Sequence, residues 1–274
     1  MTPGFGYQQD DPDPRDVRFS DAVPVGFAAA PGAADLSGYV LRVFDQGAAP
    51  ACVGFAVAQA LRVRWCAQIE ETRSAAPMTD HDVPLPSALW IWWHARQAAG
   101  TERLVVGSKI RNAFRAIVRF GVPEDRWWPS ADPRDAAGRE PSPMARRCAW
   151  DLRGRAGRGA MVNYFRIPDG AMAPALVRWA LTHRLPVVFG TDVDTEFAGV
   201  RRHLDPLQAP NLGMIAGGHA MVAVGYRPDA VLVVNSWGPA WGNRGLAWLS
   251  WPWISGFARD LWAVRAPSPY GVRR

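Results

Sequence analysis

The chain has 274 residues, enough for one large domain or two lobes sharing a cleft, and 49% of them are apolar, so a substantial core is available. Its formal charge of +6 comes from 31 basic and 25 acidic residues spread along the chain. The densest basic run, RGRAGRGA from Arg153 to Ala160, has no interleaved aromatic residues and reads as a solvated loop, which argues against a nucleic-acid partner.

The N-terminus, MTPGFGYQQDDPDPRDVRFS, has no apolar core of the kind a signal peptide needs. No apolar stretch approaches the ~20 residues of a membrane-spanning helix. The expectation is a cytoplasmic or non-classically exported protein with no membrane contact. Residues 1–37 are rich in Pro, Gly, Ala and Asp and read as an arm with little regular structure; FSDAVPVGF, Phe19 to Phe27, is the part expected to lie near a cleft.

Helical signals then dominate. Helices are predicted from Cys52 to about Glu71, over PSALWIWWHARQAAG with Pro86 and Ser87 as the start, and over GSKIRNAFRAIVRFG, where Ile110, Ala113, Phe114, Ile117 and Val118 recur at helical spacing. Residues 129–160 are polar and Arg-rich and read as a long loop or insertion, followed by a short helix over APALVRWALTHR. The second half turns to strands: LPVVFGTDV, GHAMVAVGY, AVLVVNSWG, GLAWLSW and LWAVRA. Helices first and antiparallel strands afterwards is an α+β pattern. The predicted organisation is an arm (1–37), one domain (38–266) and a tail (267–274). Within the domain, a helical lobe spans about 50–128, the polar insertion about 129–160 and a β-rich lobe about 161–266.

The cysteines are Cys52, Cys66 and Cys148, an odd count with wide spacing that fits a reducing compartment better than a disulfide framework. Cys66 and Cys148 have no evident partner or role. Cys52 differs, because it opens the first predicted helix in DQGAAPACVGFAVAQAL, where the helix N-terminus favours a thiolate. His219 lies in the strand GHAMVAVGY, and Asn235 sixteen residues later in the next strand. A three-residue loop, Arg227-Pro228-Asp229, would place both side chains on one face, since side chains alternate along a strand. An amide oxygen would then hold the imidazole in one tautomer and orientation, as a base paired with a thiol requires. His81, flanked by Asp80 and Asp82, reads as a solvated turn; no metal and no cofactor are expected.

Cys before His before Asn, with Gln46 six residues ahead of the Cys, resembles the papain family of cysteine proteases. Gln46, Gly47, Cys52, Phe55, His219, Ala220, Asn235, Ser236, Trp237, Gly238, Trp241, Gly242 and Gly245 carry the likeness, which extends over about residues 35–264 and looks most like the bacterial branch. The resemblance implies an α+β, two-lobed fold with the active-site cleft between a helical lobe and an antiparallel β-rich lobe, acting on peptide or protein substrates. It implies Cys52 as nucleophile, His219 as acid and base, Asn235 as orienting group, Gln46 as oxyanion donor and Trp237 as cover over the His219–Asn235 contact. Gly107 would pair with the backbone of a bound peptide, Ser108 would lie near the pocket for the second substrate residue, and Gly218 would also line the cleft. Two departures stand out: Ala49-Pro50-Ala51-Cys52-Val53 replaces the usual Cys-Gly-Ser-Cys-Trp, and the arm is shorter than the family's inhibitory propeptide. The alternatives are an inactive papain-like module with a binding or structural role, and an amidase cutting cell-wall peptides.

Overall fold

The computed structural model describes residues 4–22, 31–71, 78–129, 138–155, 163–202 and 204–266. The N-terminal part begins with β1 (Tyr7–Gln8), the one-turn helix α1 (Phe19–Ala22) and β2 (Ala34–Asp35). The long helix α2 (Cys52–Glu70) carries no proline and buries every residue except Gln68 and Glu70, with Gln59, Arg62 and Arg64 buried among its mostly apolar side chains. Helices α3 (Ala88–Gln97) and α4 (Ile110–Phe120) pack against it. The Ser87 hydroxyl starts α3 by accepting the Trp90 N–H (3.2 Å), and Gly121, at φ 71°, ends α4. At the crossing of α2 with α3, a Cβ on Gly54 would stand 2.5 Å from the Ala88 carbonyl oxygen.

Strand β3 (Ser108–Lys109) precedes α4, and the next helix, α5 (Pro143–Arg155), corrects the expectation of a loop over 129–160. Its stretch PMARRCA carries no glycine, so a helix closes its backbone hydrogen bonds; the basic run at 153–160 lies mostly outside the described residues. After β4 (Asn163–Ile167) and α6 (Ala173–Thr182) come β5 (Val187–Asp194), β6 (Ile215–Arg227), β7 (Ala230–Val234), β8 (Leu246–Ser250), the short helix α7 (Trp251–Gly256) and β9 (Arg259–Arg265). They form one antiparallel sheet in the order β4-β9-β5-β6-β7-β8, with β2 added alongside β6. The fold is α+β, helices beside an antiparallel sheet.

The β6–β7 hairpin differs from its expected form. Arg227 pairs with Ala230, so the loop is Pro228-Asp229, two residues long. That register alone would send His219 and Asn235 to opposite faces. A bulge between Ala223 and Gly225 shifts the pairing so that Val222 opposes Val234, which restores odd-numbered residues of both strands to one face. The bulge supplies the parity that a third loop residue would have supplied.

The arm is tied down by charge. The Asp10 carboxylate accepts the Arg111 backbone N–H (3.2 Å) in the first turn of α4, where the helix field favours an anion, and the Trp262 indole N–H (3.2 Å). The Asp10 N–H donates to Asp260 Oδ2 (2.6 Å), and the Arg111 guanidinium forks onto Asp16 (2.8 and 2.6 Å). Lys109 pairs with Asp11. Further along, Phe19 is buried against Phe165 and Trp179 at ring separations of 6.2 and 5.3 Å. Burial first, and the neighbouring Asp260 second, push the Asp10 carboxyl up to about 6, against the lowering effect of Arg111 and Arg166.

Two outcomes follow from this packing. Gly54→Ala, normally a gain in helix propensity, should instead lower stability by about 1–3 kcal/mol in chemical denaturation, because the added Cβ meets backbone. The raised pKa of Asp10 means its contribution to stability is full below its ordinary value and lost as pH rises through about 6. Wild type should therefore lose melting temperature relative to Asp10→Asn between pH 4 and pH 7; the opposite trend would mean that Arg111 and Arg166 outweigh burial.

Candidate active site

Cys52 is the first residue of α2, with the main chain of Ala220, Gly6 and Val53 near its sulfur. Ala51, ahead of it, provides no side-chain cap, so the helix end is open toward the thiol. Gln46 is fully buried and held at both ends: its N–H donates to the Ser236 carbonyl (2.8 Å), and its Oε1 accepts the Ser236 hydroxyl (2.6 Å). Its Nε2 donates to the carbonyls of Ala49 (2.7 Å) and Gly4 (3.0 Å).

The imidazole of His219 is likewise fully buried, with Nε2 2.7 Å from Asn235 Oδ1. The same Oδ1 accepts the Ser236 backbone N–H (2.7 Å). A backbone N–H only donates, so that atom is the amide oxygen and Nε2 must carry the hydrogen it shares. Nδ1 of the neutral ring is then left with a lone pair, and it has no partner among the described residues. Trp237 covers the ring, with centroids 4.3 Å apart. Thus Gln46, His219, Asn235 and Trp237, far apart in sequence, are joined through Ser236 and the ring contact, and Cys52 lies near the main chain of Ala220, the residue after His219.

An extended strap, Gly4 to Gln8, fills the cleft at that point. Its Gly4 N–H donates to Gly47 O (3.1 Å), its Gly6 N–H to Gly218 O (3.1 Å), and its Gly6 carbonyl accepts the Ser108 N–H (2.8 Å). Tyr7 and Gln8 continue in parallel with Ser108 and Lys109. Side chains alternate. Gly4 and Gly6 face the loop before Cys52 so closely that a Cβ on either would stand 2.1 Å from Ala49 O or 2.0 Å from Pro50 O. Phe5 and Tyr7 point the other way. Phe5 packs edge-on against His219 and Trp237, and Tyr7 reaches Asp260 with its hydroxyl (2.6 Å). Gly107, Ser108 and Gly218 therefore all touch the strap backbone. Among the described residues the covering segment is Gly4–Gln8; Phe19 to Ala22 form α1 against the β4 side instead, and the remainder of the expected Phe19–Phe27 segment lies outside the described residues.

Burial sets the electrostatics. Cys52 has no solvent exposure, and burial pushes its thiol up to about 11 despite the helix end and the nearby main chain. Burial pulls His219 down to about 4 against the raising effect of Asn235. Both shifts disfavour a thiolate–imidazolium pair, so the covered site holds both groups neutral. Ser236, one of the residues that carry the family likeness, fastens both Gln46 and Asn235, while Asp260, at φ 51° and fully buried, was not singled out in the sequence. The alternation Gly4-Phe5-Gly6-Tyr7 was the available signal for the strap.

No protein-family model matches the chain. It is 25% identical over 287 residues to an uncharacterized peptidase C1-like protein of Acanthamoeba polyphaga mimivirus, spanning 95% of this chain and 86% of that one. It is 22% identical to a cathepsin L-like proteinase of Fasciola hepatica, across 76% of this chain and 56% of the relative. Among solved structures, xylellain, a cysteine protease from Xylella fastidiosa, superimposes over 97% of both chains with a TM-score of 0.76 and 26% identity. The bromelain protease of Ananas comosus, solved with the E64 inhibitor, shares the fold at a TM-score of 0.61 and 20% identity, over 87% of this chain and 99% of that one. In sequence and in fold alike, the chain is a relative of the papain-like cysteine peptidases.

Proposed function

We propose that this chain is a cysteine-type peptidase whose Cys52, His219 and Asn235 act together, with Gln46 as oxyanion donor. The observation that carries the reading is the fixed tautomer of His219: its Nε2 is committed to Asn235, and its Nδ1 is left with a free lone pair in the cleft that holds Cys52. In this mechanism Nδ1 takes the thiol proton as the sulfur attacks a peptide carbonyl carbon. The carbonyl oxygen becomes an oxyanion and accepts from Gln46 Nε2 and the Cys52 backbone N–H, the first of these being worth roughly 3 kcal/mol to the transition state. The intermediate collapses by expelling the amine, which leaves with the proton from His219. Water, deprotonated by the same nitrogen, then cleaves the thioester and restores the thiol. Trp237 keeps solvent from competing for the Asn235 oxygen.

The strapped form is latent in this reading. A carbonyl, that of Gly4, already occupies the Gln46 donor, and the strap backbone is hydrogen-bonded to Gly47, Ser108 and Gly218, where a bound peptide would lie. Turnover requires the strap to leave, which readmits water and lowers the thiol pKa from about 11.

Gly6→Val should displace the strap, because its Cβ meets the Pro50 carbonyl. Iodoacetamide should then alkylate Cys52 at least tenfold faster, and hydrolysis of a fluorogenic peptide should rise with it; equal alkylation rates would remove the latent form. In the Gly6→Val background, Cys52→Ala and His219→Ala should each abolish hydrolysis with melting temperature retained. Asn235→Ala should leave a reduced rate, since orientation contributes less than the nucleophile. Hydrolysis that survives Cys52→Ala would overturn the peptidase reading.

A further inference from the structure

Tyr7 lies in a slot with unusually close walls. A Cβ on Gly190 would stand 2.1 Å from the Cε2 and Cζ atoms of the Tyr7 ring, and one on Gly218 would stand 3.2 Å from Cδ1. The ring is therefore flanked by bare main chain, and only a flat side chain enters to full depth. At the base lies the Asp260 carboxylate, with no solvent exposure. Its Oδ1 takes the Arg166 guanidinium (2.6 Å), and its Oδ2 takes the Tyr7 hydroxyl (2.6 Å) together with the Asp10 N–H (2.6 Å).

Removing Tyr7 leaves a buried carboxylate oxygen facing a flat, empty slot beside the candidate nucleophile. Arg166 already balances the Asp260 charge, so a second cation entering there would meet the guanidinium as well as the carboxylate. A neutral donor at the end of a planar ring satisfies the oxygen without that repulsion. The main chain that bears Tyr7 is hydrogen-bonded to Ser108 and Gly218, the two edges between which an extended peptide would lie.

From this geometry we infer that Asp260, at the base of the Tyr7 slot, makes the cleft select peptides carrying tyrosine at the residue that enters this slot, the second before the scissile bond. The inference rests on the peptidase reading of the same cleft and adds the substrate class to it. Phenylalanine buries the same ring but leaves Oδ2 short of a donor at the slot base. Sites built to hydrogen-bond a substrate hydroxyl discriminate strongly against the analogue lacking it. Because Oδ2 keeps the Asp10 N–H, the expected preference is about tenfold or somewhat more.

The test uses the full chain and two fluoromethyl ketones that differ by one oxygen, acyl-Tyr-Ala and acyl-Phe-Ala. Both are used at concentrations where labelling of Cys52, read by intact mass, is proportional to probe. Strap opening slows both probes equally and cancels in their ratio. The tyrosyl probe should label about tenfold faster or more. Asp260→Gly, whose residue suits φ 51°, should bring the ratio close to one while iodoacetamide still reaches Cys52. A wild-type ratio near one overturns the pocket, as does a ratio unchanged in folded Asp260→Gly, or no labelling by either probe where iodoacetamide labels Cys52. If Asp260→Gly fails to fold, the wild-type ratio decides alone. Failure of the peptidase reading would be seen separately, as peptide hydrolysis that does not depend on Cys52.

Discussion

Close approach of main chain to main chain is the constraint on which the closed cleft depends. The strap lies against the Ala49-Pro50 loop on one side and against Gly107, Gly190, Gly217 and Gly218 on the other, at distances no side chain would permit. Glycines on the strap meet the loop before Cys52, while its aromatic side chains meet glycines of the sheet. This matching places a carbonyl on Gln46, an amide on the Gly218 carbonyl and a phenol on Asp260 in a single extended run of five residues.

Electrostatics follows from that fit. The thiol sits at a helix N-terminus, a position that by itself favours the thiolate. Burial outweighs it, and the thiol rises as the imidazole falls. The same segment carries its own anchors, since Asp10, Asp11 and Asp16 bind α4, Lys109 and Arg111, and Asp10 also meets Asp260. The carboxylates that fasten the strap and the carboxylate at the base of the slot are therefore parts of one network, centred on Arg166 and Asp260.

Much of the fold was legible because its elements are locally determined. The helix beginning at Cys52 ends within one residue of its expected limit, as a proline-free apolar run of that length has few alternatives. Strands β5 to β9 all fall on the runs read as strands. The long helix α5 was missed because its charged sequence lacks a strong apolar period. The β6–β7 hairpin was misjudged in its loop, yet His219 and Asn235 still share a face, because a bulge did the work assigned to the turn. Bulges carry weak sequence signals, since they depend on which strands lie on either side.

The sequence by itself determined the α+β class and the order in which the candidate site residues occur, since spacing between Gln46 and Cys52 and between His219 and Asn235 is local or nearly so. Only the tertiary structure decided what covers that cleft, which tautomer His219 adopts and where Asp260 lies. Those features depend on contacts between residues as much as 253 apart, such as Tyr7 with Asp260. A side chain's burial and its hydrogen-bond partners are set by neighbours in space, and no local pattern in the chain encodes them.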